Sequence, residues 1–79
     1  MLENLSTSKK VVGIRESTRA VLEGLAKCAY VARDAEDRVK IPFLEICASN
    51  KIEVIWIESM SQLGHACGIT LGASVAVIL

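Results

Sequence analysis

The sequence predicts an α/β domain in three layers, α/β/α, around a mixed four-stranded sheet, and three observations carry that prediction. Apolar runs at 11–14, 29–32, 52–57 and 74–79 alternate with stretches of helical character, the ordering of a layered α/β fold. The chain has 79 residues, which sets a single domain over 1–79, because two separate cores do not fit in that length. Hydrophobic residues make up 52% of it, with five glycines and one proline, so a dense core is expected and a disordered tract is not.

The first strand is the run 11–14. Behind it Thr18, Val21, Leu22, Leu25 and Ala26 recur at three- and four-residue steps, the buried stripe of an amphipathic helix. Arg15, Glu16, Arg19 and Glu23 then fall on the solvent side. The second strand runs out at Arg33 into Asp34-Ala35-Glu36-Asp37, a polar loop entering a helix. Pro42 is expected in the first turn of that helix's main part, where a missing N–H is tolerated, and Phe43, Leu44, Ile46 and Cys47 supply core contacts.

The helix is expected to end near Asn50, a residue that accepts the left-handed conformation. The β-branched run 52–57 reads as a central strand, with Trp56 among its packing residues and stacking on a base as the alternative role. Ser59 followed three residues later by Gln62 is a capping box, and Gly68 is placed to terminate, so 60–67 reads as a short helix. The last run closes the sheet. Helix-bearing connections let most neighbouring strands run parallel, with helices on both faces.

Nine Lys+Arg against nine Asp+Glu give zero net charge, which denies the overall basic balance of many nucleic-acid binders. A local cluster is still available, since Lys9, Lys10, Arg15, Arg19 and Lys27 all lie in one third of the sequence. Cys28, Cys47 and Cys67 are an odd set at spacings of nineteen and twenty, unlike a disulfide framework or a Cys-x-x-Cys metal site, and read as reduced, buried small hydrophobes. The stretch MLENLSTSKK lacks the apolar core of a signal peptide, and no run reaches the roughly eighteen apolar residues of a membrane span, so a soluble, cytoplasmic protein is expected. His65 and Cys67 are two apart on a predicted helix and therefore on different sides, which argues against shared metal ligation or a Cys-His pair. No catalytic motif is present, so the expectation is a protein that is not an enzyme and uses no metal, cofactor or small-molecule substrate.

The segment 13–19, Gly-Ile-Arg-Glu-Ser-Thr-Arg, crosses from a strand end into a helix N-terminus, where unpaired N–H groups and the helix dipole favour an anion such as phosphate. Gly13 permits close approach of another backbone. Arg15 and Arg19, four apart on one helical face, address phosphate oxygens or base acceptors. Glu16 adds an acceptor for the N–H groups of a guanine whose pairing edge is free. On spacing alone the same charges also suit the solvated face of an ordinary helix, with Glu16 and Arg19 as a weak ion pair.

The stretches VVGIRESTRAV at 11–21 and IESMSQLGHACGI at 57–69 resemble the kink-turn-binding ribosomal protein family, of L-seven-Ae and L-thirty-e type, and are most like its short bacterial members. The resemblance covers nearly the whole chain and is most specific at Leu63-Gly64-x-Ala66-Cys67-Gly68-Ile69. It implies a non-catalytic partner of structured RNA, with ribosomal RNA among the candidates. Gly13, Ile14, Arg15, Glu16 and Arg19 would hold tandem sheared G·A pairs at a sharp bend. Arg19 stands for the family's lysine and Arg15 for asparagine, which implies altered preference, since a long cation still reaches phosphate or a guanine acceptor. The resemblance also implies a loop of Ile57, Glu58, Ser59 and Met60 that cradles a flipped-out nucleotide, with Glu58 repelling nearby phosphates. The protein is expected to act as a monomer. A protein-interaction module of the same fold, its RNA surface drifted, is the alternative that zero net charge, Arg15 and Glu58 suggest.

Overall fold

The computed structural model describes residues 9–79, so the leader reading of the N-terminal stretch falls largely outside the described residues. Four strands, β1 (Lys10–Val12), β2 (Cys28–Ala32), β3 (Glu53–Ile57) and β4 (Val75–Ile78), alternate with three helices, α1 (Ile14–Leu22), α2 (Asp37–Ser49) and α3 (Met60–Ala66). The sheet order is β1-β4-β2-β3. Only β2 and β3 pair in parallel, Cys28 opposite Glu53 through Ala32 opposite Ile57, while β4 runs antiparallel to both of its neighbours. The expectation of mostly parallel pairing is therefore corrected. The α3–β4 connection returns the chain into the middle of the sheet, where β4 fills the gap between β1 and β2.

Both central strands are buried on both faces, which explains why they read as continuous apolar runs rather than alternating ones. Ala29, Val31, Val75 and Val77 face α1 and α2, packing with Ala20, Val21, Phe43 and Cys47. Tyr30, Ala32, Ala76 and Ile78 face α3, packing with Leu63 and Cys67. The three layers are thus α1 and α2, the sheet, and α3. Fully buried Phe43 and Leu63 anchor the outer layers, each contributing about 1.5–3 kcal/mol by leaving water.

Several boundaries move. Strand β1 stops at Val12, and Ile14 is the first helical residue. In α1 the buried positions are Ser17, Ala20 and Val21, one residue round from the predicted stripe; Leu22 and Leu25 are 62% and 57% exposed. The small Ser17 and Ala20 let the helix lie close on the sheet, an advantage that hydrophobicity alone does not register. Pro42 is inside α2 rather than in its first turn, because the helix already begins at Asp37. The run 52–57 forms an edge strand, not a central one, and Trp56 is 40% exposed.

All three helices end in the same hydrogen-bonded turn. In α1 Gly24 N–H donates to Val21 and Leu25 N–H to Ala20; in α2 Lys51 donates to Ala48 and Ile52 to Cys47; in α3 Gly68 donates to His65 and Ile69 to Gly64. Each is the Schellman arrangement, with a left-handed residue just past the cap. Gly24, Lys51 and Gly68 hold that place with φ of 74°, 58° and 82°. Asn50, with φ −100°, does not; its Nδ2 donates instead to the Ile46 carbonyl at 2.8 Å.

Candidate nucleic-acid interface

Strand register gathers several loops at one end of the sheet. Val12 lies opposite Ala76, Val31 opposite Val75 and Ala32 opposite Ile57. The segments that follow or precede these residues, at 13–16, 33–36, 58–60 and 69–74, therefore share one rim. Backbone hydrogen bonds join them: Gly13 N–H to the Val75 carbonyl at 2.9 Å, Ala32 N–H to Ser74 at 2.9 Å, Arg33 N–H to Ile57 at 2.8 Å and Ala73 N–H to Met60 at 3.0 Å.

Gly13 caps α1 without a side chain, at φ 100° and ψ 158°, a conformation that L side chains rarely adopt. A Cβ there would meet nothing within 4 Å. Backbone conformation is what demands this glycine, since among the described residues no atom crowds the place of a side chain. The Gly13 carbonyl accepts from Ser17 N–H at 3.0 Å, so the N–H groups of Ile14, Arg15 and Glu16 are those left without an intrahelical acceptor. Arg15 and Glu16 are exposed, and neither forms an ion pair among the described residues. Arg19 pairs with Glu23 at 3.3 Å rather than with Glu16, so its charge is partly spent one turn away from the rim.

The basic cluster of the sequence is divided in space. Lys10 lies opposite Ile78 and Lys27 N–H donates to Ile78, which puts both at the far end of the sheet from Gly13. Arg15 and Arg33 lie in the rim segments themselves, and α2 adds two cations from the side, Lys40 Nζ donating to the Arg33 carbonyl at 2.8 Å and Arg38 pairing with Glu36 at 3.2 Å. The thiols are raised above the ordinary 9.0, by burial at Cys47, by burial and then Glu53 at Cys28, and by burial opposed by Lys10 at Cys67. They behave as packing groups, Cys28 being only part-buried. His65 is exposed and Cys67 buried, on different sides of α3.

The second predicted contact resolves into distinct parts. Ile57 is buried and packs under α3, and Met60 packs part-buried against the same cluster. The Ser59 hydroxyl accepts from Gln62 N–H at 3.1 Å and Asp34 Oδ1 accepts from Met60 N–H at 2.7 Å, so two of the N–H groups at the start of α3 are held by side chains. Glu58 is exposed and its carboxylate lies 3.7 Å from Arg33 Nε, which offsets the repulsion of phosphates expected of it. Of this group, Ile57, Ser59 and Met60 build the loop and Glu58 is the residue it presents outward.

Sequence reasoning missed the loop between α3 and β4. Leu71 is 77% exposed and Ile69 41%, apolar side chains held on the rim and left uncovered among the described residues. Glycines place this loop. A Cβ on Gly64 would run into the Leu71 carbonyl oxygen, and one on Gly72 would lie 3.2 Å from Met60 Cβ. The usable signal was Gly68-Ile69-Thr70-Leu71-Gly72, apolar residues bracketed by glycines outside any element. Asp34 and Arg33 were also passed over, because their partners Met60 and Glu58 are distant in sequence.

Comparisons with known proteins identify the family. A family model described as the ribosomal protein L7Ae/L30e/S12e/Gadd45 family matches residues 2–79. The chain is 38% identical to an RNA-binding protein of Caldanaerobacter subterraneus subsp. tengcongensis, covering 86% of this chain and 83% of that one. It is 31% identical to the large ribosomal subunit protein eL8 of Halobacterium salinarum, covering 85% of this chain and 57% of the relative. Among solved structures, the Giardia lamblia 15.5kD RNA binding protein superposes with a TM-score of 0.81 at 25% identity, over 98% of this chain and 66% of its own. These relatives are ribosomal or RNA-binding proteins rather than enzymes, and this chain is a non-catalytic member of the ribosomal protein L7Ae/L30e/S12e/Gadd45 family.

Proposed function

We propose that this protein binds structured RNA at a kink-turn and stabilises the bent form over the extended one. The observation that supports this most is the Gly13 turn, with open space where a Cβ would be, followed by exposed Arg15 and Glu16 and by helix-start N–H groups that lack an intrahelical acceptor. Those N–H groups and Arg15 take a phosphate or a guanine acceptor. Glu16 accepts from the N–H groups of a guanine in a sheared G·A pair, an edge that a standard duplex hides. Leu71 and Ile69 offer an apolar surface to an unstacked base, with Glu58, Ser59, Met60 and Ile57 forming the wall behind it. Arg19 contributes at longer range. The names of the relatives support RNA as the partner, ribosomal RNA included, and the protein acts as a cytoplasmic monomer in this reading.

The test is a titration against labelled RNA with tandem G·A kink-turn pairs, beside a copy with those pairs converted to Watson–Crick, following affinity and bending together. Tight binding and bending of the first RNA alone is the expected result. Equal weak binding to both would sink the kink-turn reading. A second reading, a protein-docking module, draws on the 77% exposure of Leu71 and the internal neutralisation of Arg33 by Glu58. It predicts little RNA binding at any salt concentration, whereas phosphate contacts make affinity fall as salt rises.

A further inference from the structure

We infer that Trp56, with Arg33 against its ring, is a stacking site for an unpaired nucleobase flanking the bend. The inference rests on the RNA reading above. Trp56 is an aromatic side chain left 40% exposed in edge strand β3, two residues before the rim segment 58–60. The Arg33 guanidinium carbon stands 5.4 Å from the centroid of the indole ring, within cation–π range. Glu58 lies 3.7 Å from Arg33 Nε, so Trp56 near the end of β3 and one residue from each of two adjacent loops form a contiguous surface.

The chemistry of that surface selects a base over a phosphate. Glu58 stands 3.7 Å from Arg33 Nε, so a carboxylate already lies where a phosphate would approach this guanidinium. The Trp56 and Arg33 side chains are both exposed, and an indole and a guanidinium plane are the two kinds of surface on which nucleobases stack. Any base satisfies such a platform, so it adds affinity and length of contact more than sequence choice. Its position continues the interface sideways, since Arg33 follows β2 directly and Glu58 precedes the capping Ser59.

Trp56 is the one tryptophan of the chain, so its fluorescence reports the site without a label. The experiment titrates the protein with two kink-turn RNAs, one carrying unpaired nucleotides beyond the bend and one blunt-ended, at several salt concentrations. Trp56 emission is expected to be quenched by the tailed RNA and little changed by the blunt one. Trp56→Ala should weaken binding of the tailed RNA about 5- to 150-fold, the range for losing one stacked base, and leave the blunt RNA unaffected. Trp56→Phe should restore most of the loss, and the slope of log affinity against log salt should be the same for all three proteins, because no phosphate contact is removed.

Equal affinities of wild type and Trp56→Ala for the tailed RNA, with wild type still binding the blunt one, would overturn this inference and leave the kink-turn reading standing. A shallower salt slope in Trp56→Ala would also overturn it, by showing a phosphate contact. Failure of wild type to bind either RNA would overturn both readings. A thermal melt of Trp56→Ala, unchanged within a few degrees, separates a lost contact from a lost fold.

Discussion

Replacing Gly64 by alanine sets two physical effects against each other. In an exposed helix interior alanine is favoured over glycine by about 1 kcal/mol, so propensity alone predicts stabilisation. Gly64, however, is buried in α3, and a Cβ there would strike the Leu71 carbonyl oxygen and stand 3.0 Å from Gly72 Cα and 3.1 Å from the Leu71 carbonyl carbon. These are backbone atoms, which cannot rotate aside as a side chain would. The helix end is also tied down, since the Gly64 carbonyl accepts from Cys67 and Ile69 N–H at 3.1 and 3.0 Å. Overpacking of this kind costs roughly 1–3 kcal/mol, and the contact with backbone puts the cost at the upper end, leaving a net loss of about 2 kcal/mol. For a domain of this size that lowers the melting temperature by roughly 8–16 °C. Because relief requires the Leu71 loop to move off α3, RNA affinity should fall as well, measured at a temperature where the variant is fully folded. Thermal melts followed by circular dichroism, with urea titration as a check, measure the first effect. A melting temperature equal to or above wild type would refute the claim that close backbone approach fixes this loop.

Other perturbations test separate parts of the structure. Asp34→Ala removes the acceptor of Met60 N–H and should cost about 1 kcal/mol, the usual value of a lost helix-start acceptor, read from the urea midpoint; no change would show that water replaces it fully. Lys51→Gly relieves a left-handed residue and should stabilise the fold by up to about 1 kcal/mol, whereas destabilisation would mean that the lysine side chain matters more than the backbone. Burial raises the Cys47 and Cys67 thiols above 9.0, so the folded state holds these protons more tightly than the unfolded state. Their contribution to stability is complete below pH 9.0 and is lost as pH rises above it, and alkaline unfolding should shift to higher pH in Cys47→Ala relative to its own neutral-pH stability. An unchanged alkaline profile in that variant would place the titration elsewhere.

The sequence by itself determined which segments are extended and which helical, because side-chain periodicity and β-branching act locally. The left-handed stop at Gly68 and the Ser59 cap of α3 are legible for the same reason: each involves residues within a few positions of one another. The glycine turn at Gly13, with Arg15 and Glu16 behind it, was likewise readable. What local signals could not decide was the order of strands. The return of β4 between β1 and β2 leaves β3 at the edge with Trp56 exposed, and the parallel pairing of β3 with β2 brings Arg33 to its ring. Strand direction and register put Lys10 and Lys27 at the opposite end of the sheet from Arg15, dividing a cluster that was contiguous in the chain. The rotation of α1 onto Ser17 and Ala20 rests on how closely a helix can approach a sheet, a property of two elements together. Likewise the pairing of Asp34 with Met60, 26 positions apart, and the seat of the Leu71 loop on Gly64 arise only when distant segments are packed against each other, since contact energies depend on distance in space and not along the chain.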